Sequence, residues 1–530
     1  MRPISSAAGT WPPIELLSPQ RSRAQPNNSR RSNSRRSDLA RPYPHLWIPL
    51  MSLRASLLLG AVLSLLPGLH AGIPAAAAPP AGATVELPID DYLDDNDGAF
   101  SWEVVKGDGK AGTTTVIKLT SQSWRAPDEV SRQKWEHWLI IARPETLKTD
   151  KCFLLVSGGG NDGTNVPNGP SGLVTTIAEV TGSIVVELKQ IPNQPIVFHG
   201  DGTPRKEDDL IAYCWDKFLD TGDATWLPRL PMVKSVCKAM DCIEEWSKEE
   251  GIPVHGFVVA GASKRGWTTW MTGATDDRVE AIVPIVIDVL NLDEQLMHHG
   301  ATYGYWAKAL GDYVRHGIVQ NPEHPRMEEL HAIEDPYSYL DRLTLPKYIV
   351  NGSGDQFFVP DSSRFYYDDL RGEKHLRYVP NTDHGVEKNP DSVTSIIAFY
   401  EMIIAAKARP TPAWTFEKDG SIRVRSDVAP QAVILWQAHN PDARDFRLAT
   451  IGSAYKPTIL QPEADGSYVG RPRVQPEGWT AAFVELTYDT GGTFPFKEST
   501  AVRITPDTLP HAGFDPKTLP YEGELPATAK

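Results

Sequence analysis

Three side chains of this 530-residue chain stand where a nucleophile, an orienting acid and a base would have to stand. Val254-His-Gly-Phe-Val-Val-Ala-Gly261-Ala-Ser263-Lys-Arg-Gly266-Trp-Thr-Thr is an apolar run that breaks at a Gly-x-Ser turn and resumes with helical character. A serine on a sharp strand-to-helix turn has its hydroxyl lifted clear of the sheet, at a helix N-terminus where backbone N–H groups stabilise negative charge. Such a turn needs small neighbours, and Gly261 and Ala262 supply them. Arg265 departs from the usual pattern, which has a second glycine at that place, and Gly266 follows one residue later. A serine hydroxyl attacks only when a base takes its proton, and the base works only when another group orients it. Leu345-Pro-Lys-Tyr-Ile-Val-Asn-Gly-Ser-Gly-Asp355 reads as a strand ending in a glycine-rich loop with an acid. Leu376-Arg-Tyr-Val-Pro-Asn-Thr-Asp-His384 reads as the next strand, ending in a loop with a histidine. Spacing alone does not choose among Asp355, Asp361 and Asp383. Asp355 is preferred because it comes first after its strand, whereas Asp361 is placed to cap the next helix and Asp383 adjoins the histidine. The order serine, acid, histidine at strand ends predicts a triad of Ser263, Asp355 and His384 working through an acyl-enzyme.

A tetrahedral oxyanion needs donors, and the backbone N–H of Lys264 is the first expected one. Phe153-Leu-Leu-Val-Ser-Gly158-Gly159-Gly160-Asn161 either brings further amides, from Gly159, Gly160 and Asn161, or is a simple turn; both readings stay open. The elements around these loops set the frame. Thr113–Thr120 and Trp135–Ala142 alternate like antiparallel entry strands. From Cys152 onward, short runs that are apolar throughout (Phe153–Val156, Ser183–Leu188, Val254–Ala260, Ala281–Ile287, Lys347–Asn351) alternate with helical stretches such as Met232–Glu249 and Val393–Lys407. That grammar belongs to a parallel sheet covered on both faces. The expected architecture is α/β: an α/β-hydrolase fold over residues 84–410, with a helical cap inserted at about 291–345. A β-sandwich-like piece at 412–510 and a tail at 511–530 follow. The cap segment is aromatic and holds His298 and His299, but adjacent residues on a helix point in different directions, so packing rather than a metal site is expected there. No cofactor is expected.

The formal charge of −14 leaves no electrostatic footprint for nucleic acid. Residues 1–50 carry eight Arg, two acidic residues and no apolar periodicity, and read as disordered or untranslated. At Met51 one Arg, the apolar run Ala55–Leu66 and small residues up to Ala78 read as a signal peptide over 51–78, with a mature start between 72 and 84. Residues 1–71 hold nine Lys or Arg and two acids, so their removal takes the charge to −21. A secreted or periplasmic protein with no stable membrane anchor after processing is expected. Cys152, Cys214, Cys237 and Cys242 lack the spacing of a zinc site; Cys152 is expected to be packed, and export permits a bridge from Cys214 to Cys237 or Cys242.

Several longer motifs carry a family resemblance. Leu119-Thr-Ser-Gln-Ser-Trp124, Trp135-Glu-His-Trp138, Ser157-Gly-Gly-Gly160, Ala260-Gly-Ala-Ser-Lys-Arg-Gly-Trp-Thr268, Asn351-Gly-Ser-Gly-Asp-Gln-Phe-Phe358 and Tyr378-Val-Pro-Asn-Thr-Asp-His384 together resemble the PhoPQ-activated pathogenicity-related family. The likeness runs from about residue 85 to 505. It implies an exported α/β-hydrolase-like protein with a β-rich C-terminal part and points to the same Ser263, Asp355 and His384, but it supplies no substrate. The Ser-Lys-Arg-Gly turn is also similar to the Ser-Arg-x-Gly turn of glucuronoyl esterases, which implies a Lys264 that faces an acidic sugar ester or helps hold the oxyanion. The functional expectation is an exported serine hydrolase acting on a small-molecule, carbohydrate-ester or peptide substrate. The alternative is a secreted binding or signalling protein that keeps the scaffold without turnover.

Overall fold

The computed structural model describes residues 88–163, 165–473 and 475–525. The expected leader at 51–78 and the 50 residues before it lie outside them. After the short helix α1 (Pro88–Asp94), the chain enters through three antiparallel strands, β1 (Ser101–Lys106), β2 (Thr114–Ser123) and β3 (Lys134–Ala142). Then come β4 (Cys152–Val156), α2 (Gly172–Thr181), β5 (Ile184–Leu188), a small hairpin of β6 (Ile196–Val197) and β7 (Pro204–Arg205), and helices α3 (Glu207–Thr221) and α4 (Arg229–Glu249). β8 (Phe257–Ala262), α5 (Lys264–Thr275) and β9 (Val279–Ile285) follow. The cap, with α6 (Leu292–Tyr303), α7 (Gly311–Arg315) and α8 (Met327–Glu334), separates β9 from β10 (Lys347–Gly352), β11 (Lys374–Val379) and α9 (Pro390–Ile404).

These strands form one sheet in the order β1-β2-β3-β5-β4-β8-β9-β10-β11, parallel from β5 onward. The parallel strands are apolar throughout because both of their faces are covered. In β4, Leu154 and Val156 join the core beneath α3, α4 and α5, while Phe153 and Leu155 join a second core with α2 and α9. α4 fits its side by burying Val233, Val236, Met240, Ile243 and Trp246 at helical spacing. Parallel strands end at a common edge, so the loops after β4, β8, β10 and β11 meet there. This is an α/β-hydrolase fold with an inserted helical cap.

The C-terminal part is β-rich, as expected. β12 (Ala413–Phe416), β13 (Ile422–Arg425) and β16 (Tyr468–Gly470) form one antiparallel sheet. β14 (Ala432–Asn440), β15 (Lys456–Ile459), β17 (Trp479–Tyr488), β18 (Phe496–Ser499) and β19 (Arg503–Thr505) form another, with the one-turn helix α10 (Leu448–Ile451) between β14 and β15. These sheets share their apolar interior with the main sheet: Val433, Leu435, Val484 and Phe496 lie in the same core as α9. β18 also docks on β11, where Ser499 Oγ accepts the Tyr378 N–H at 2.9 Å.

Two expectations change. All four cysteines are free thiols. Cys214 faces the core from α3, and Cys237 bonds to the Asp276 carboxylate instead of to another sulfur. The 511–530 segment, read as a tail, runs back over the cap as far as it is described. His511 N–H donates to Ala301 O at 3.0 Å, Trp306 exchanges backbone bonds with Pro520 and Glu522, and Phe514 packs edge-on to Trp306. Among the described residues, no helix is long and apolar enough to cross a membrane.

Candidate active site

Ser263 sits between β8 and α5 with φ 58° and ψ −128°, a backbone conformation that costs an ordinary residue about 1–3 kcal/mol. The turn is paid for by packing that only glycine permits. A Cβ on Gly261 would lie 2.6 Å from the Arg265 carbonyl oxygen, and one on Gly266 would lie 2.8 Å from the Gly261 oxygen and from Ile287. Gly266 is therefore the close-packing glycine, and Arg265 is tolerated because its side chain leaves the turn sideways. Its Nε donates to Ile191 O at 2.5 Å and its two terminal nitrogens to Glu207 at 2.7 and 2.9 Å. Ser263 N–H is anchored to Ile285 O at 2.8 Å, which fixes the elbow to the neighbouring strand.

The acid and base arrive on the next loops. Gly352 ends β10 with so little room that a Cβ would stand 2.4 Å from Asp383 O, and this lets the two loops touch. Asp355, 3% exposed, accepts the Phe357 N–H at 2.7 Å through Oδ1 and pairs with His384 Nδ1 at 2.7 Å through Oδ2. The His384 backbone N–H donates to Gln356 Oε1 at 3.2 Å. His384 Nε2 is buried and makes no hydrogen bond, and His384 lines the same cleft as Ser263. The other two acids turn elsewhere. Asp361 does not cap its helix: it pairs with His298 at 2.9 Å and Arg444 at 2.7 Å, and despite the upward push of burial these hold its carboxyl far below the usual range. Asp383 pairs with Lys388 at 3.0 Å.

The expected oxyanion residues divide. Lys264 opens α5, so its N–H has no partner within the helix and points from the elbow. Its side chain does not face outward: Nζ lies 3.0 Å from Glu207 and 3.2 Å from Asp208, a buried ammonium neutralised by two carboxylates. The glycine loop starts beside the elbow, since Val156 pairs with Gly261. Asn161 is no oxyanion donor, because its N–H is bound to Gln194 O at 2.5 Å and its amide to Asn193 Oδ1 at 2.6 Å. Among the described residues, no hydrogen bond takes up the N–H of Gly159 or Gly160, although neither residue lines the cleft itself.

Sequence reasoning missed Glu207, Asp208 and Gln194. Glu207 has φ 55° and is held by both ends of the Gln194 amide, at 2.7 Å to its N–H and 2.5 Å to its carboxylate. Burial pushes its carboxyl up, but Arg265 and Lys264 hold it well below the usual range. The available signal was the Lys264-Arg265 pair itself, since two buried charges beside the elbow serine require carboxylates. His298 and His299 do point apart: His298 to Asp361, and His299 Nε2 to the Ala307 N–H at 3.1 Å.

A strand-helix elbow bearing a serine, on a parallel sheet whose later loops carry a carboxylate-bound histidine, defines the hydrolase scaffold. The chain belongs to the family described as PhoPQ-activated pathogenicity-related protein, whose model matches residues 89–447. It is 38% identical over 451 residues to autocrine proliferation repressor protein A of Dictyostelium discoideum, covering 80% of this chain and 91% of that protein. Among solved structures, acetyl xylan esterase 1 from Thermoanaerobacterium sp. is 14% identical, with a TM-score of 0.40 over 59% of this chain and 92% of that one. A cold-adapted esterase from an Arctic intertidal metagenomic library is 14% identical, with a TM-score of 0.34 over 57% and 99%.

Proposed function

We propose that this protein is an exported serine hydrolase in which Ser263, His384 and Asp355 cleave an ester or peptide bond through an acyl-enzyme. The observation that carries the reading is the unbonded Nε2 of His384, a residue that lines the same cleft as Ser263, while Nδ1 is held by Asp355 at 2.7 Å. With Nδ1–H bound to the carboxylate, Nε2 is the free base. It takes the Oγ proton as Oγ attacks the carbonyl carbon, and Asp355 stabilises the resulting imidazolium. The oxyanion is met by the Lys264 N–H, with Gly159 or Gly160 as the second donor. His384 returns the proton to the leaving group as the bond breaks. A water then attacks the acyl carbon, gives its proton to His384, and restores the Ser263 hydroxyl as the acid departs.

The test is labelling with one small and one bulky fluorophosphonate, followed by peptide mapping, on wild type, Ser263→Ala and His384→Ala. Modification of Ser263 that is lost in both variants is expected. A folded wild type that resists both reagents would favour the second reading, a binding or signalling protein on the same scaffold, for which the name of the Dictyostelium relative is the motive.

A further inference from the structure

The cleft over Ser263 holds about 90 Å³ and is lined largely by apolar side chains. Its lining differs in exposure. Phe357, Phe358 and His384 form a half-buried rim, with the His384 side chain 17% exposed and the Phe357 ring 4.6 Å from the imidazole. The inner wall is buried and apolar, built by Trp215 of α3, Trp267 of α5, Leu292 of α6, and Ile318 and Val319 of the cap.

Lys264, Asp208, Gln295 and His299, which also line the cleft, already have partners. Lys264 is held between Glu207 and Asp208, and Asp208 also accepts the Tyr313 hydroxyl at 3.2 Å. Gln295 Nε2 donates to Leu290 O at 3.1 Å and Ser362 O at 3.0 Å. His299 accepts the Ala307 N–H, and burial with nearby Arg447 pushes it down to about 3, so it is uncharged near neutrality. A uronate pressed against this wall would lose its water and meet a lysine already neutralised by two carboxylates, at a cost that hydrocarbon does not incur.

Resting on the serine-hydrolase reading, we infer that the inner wall receives an apolar acyl group, so that the substrates are esters of compact alkyl or aryl carboxylic acids. The acyl part, and not the alcohol, belongs there for a geometric reason. The alcohol must collect its proton from His384 Nε2, which places it beside His384 and Phe357, while the part left on Ser263 Oγ is free to meet the buried apolar lining. The Oγ–C bond forms as the C–O bond breaks, the Oγ proton leaves on the alcohol through His384, and water then releases the carboxylic acid. This reading replaces the acidic sugar ester that the Ser-Lys-Arg-Gly turn implied.

The experiment compares p-nitrophenyl ethyl alkylphosphonates with methyl, butyl and hexyl groups on phosphorus. Each forms an Oγ–P bond and expels p-nitrophenolate, so the rate of colour release and the mass of the Ser263 peptide report one event. About fourfold per buried methylene is expected, or on the order of 60-fold from methyl to butyl. Leu296, on α6, also lines the cleft; Leu296→Trp, and independently Val319→Phe, narrow it and should lower the hexyl-to-methyl ratio at least about tenfold within each variant. Ser263 labelled at rates that are flat or falling with chain length overturns the acyl-pocket inference and leaves the hydrolase reading standing. No labelling by any reagent in the folded protein overturns both.

Discussion

Replacing Glu207 by Gln tests how the elbow is held. The carboxylate makes two bonds to Arg265, at 2.7 and 2.9 Å, and lies 3.0 Å from Lys264, with its side chain 20% exposed. Removing one partner of a buried pair costs about 3–5 kcal/mol, and the lower end applies because Lys264 keeps Asp208. Unfolding entropy of roughly 2.1 cal/mol/K per residue, over the ~440 described residues, converts 3 kcal/mol into a Tm lower by ~3 °C. The pH dependence gives a second reading. A carboxyl depressed in the folded state stabilises it above its ordinary value of 4.5, and that contribution is lost as pH falls through the folded value. The gap between wild type and Glu207→Gln should therefore close as the pH drops below about 4.5. Calorimetry from pH 7 to pH 3, with fluorophosphonate labelling rates alongside, measures both. Equal melting at pH 7, or a gap that stays constant into acid, would refute the role given to this carboxylate.

Three further outcomes follow from the same structure. Asp355→Asn, which keeps the Phe357 contact but cannot hold the productive imidazole tautomer, should slow Ser263 labelling by on the order of 10⁴-fold with little change in melting; a loss below tenfold contradicts the triad. Burial opposes charge on His375, but Glu498 and Glu373, at 2.9 and 2.8 Å, push it up to about 9. The stability this gives is complete below about 6.5 and lost as pH rises through about 9, so His375→Gln should flatten the alkaline limb of the stability profile. A chain cut after Pro410 should fail to fold, because β18, Arg444 and about a quarter of a core are removed with it; a soluble fragment with a cooperative melt would show otherwise.

The parallel core was legible because strands buried on both faces need apolar residues at every position, a signal that survives without tertiary information. The serine, acid and histidine were legible because each closes such a strand. Choosing Asp355 over Asp361 was not a matter of spacing. It depends on Arg444, some 80 residues further on, which occupies Asp361 together with His298. Lys264 was misread for the same reason: a turn sequence shows a charge and hides the Glu207 and Asp208 that meet it from α3. Asn161 looked like a donor in a glycine loop, but whether its N–H was free depended on Gln194, in a loop beyond β5.

The return of residues 511–525 over the cap bears on the order in which the molecule matures. A polypeptide leaves the ribosome N-terminus first, and domains acquire structure as they emerge. Ala301, Trp306 and Lys308 are made some 200 residues before His511, Pro520 and Glu522, the groups that bond to them. Glu522 also ties the cap to Arg447 at 2.9 Å, so the last described segment joins two regions made earlier. The cap beside the Ser263 cleft therefore reaches these contacts only after some 200 further residues have been made, and a chain ending before His511 would carry Ser263, Asp355 and His384 under an unfastened cap.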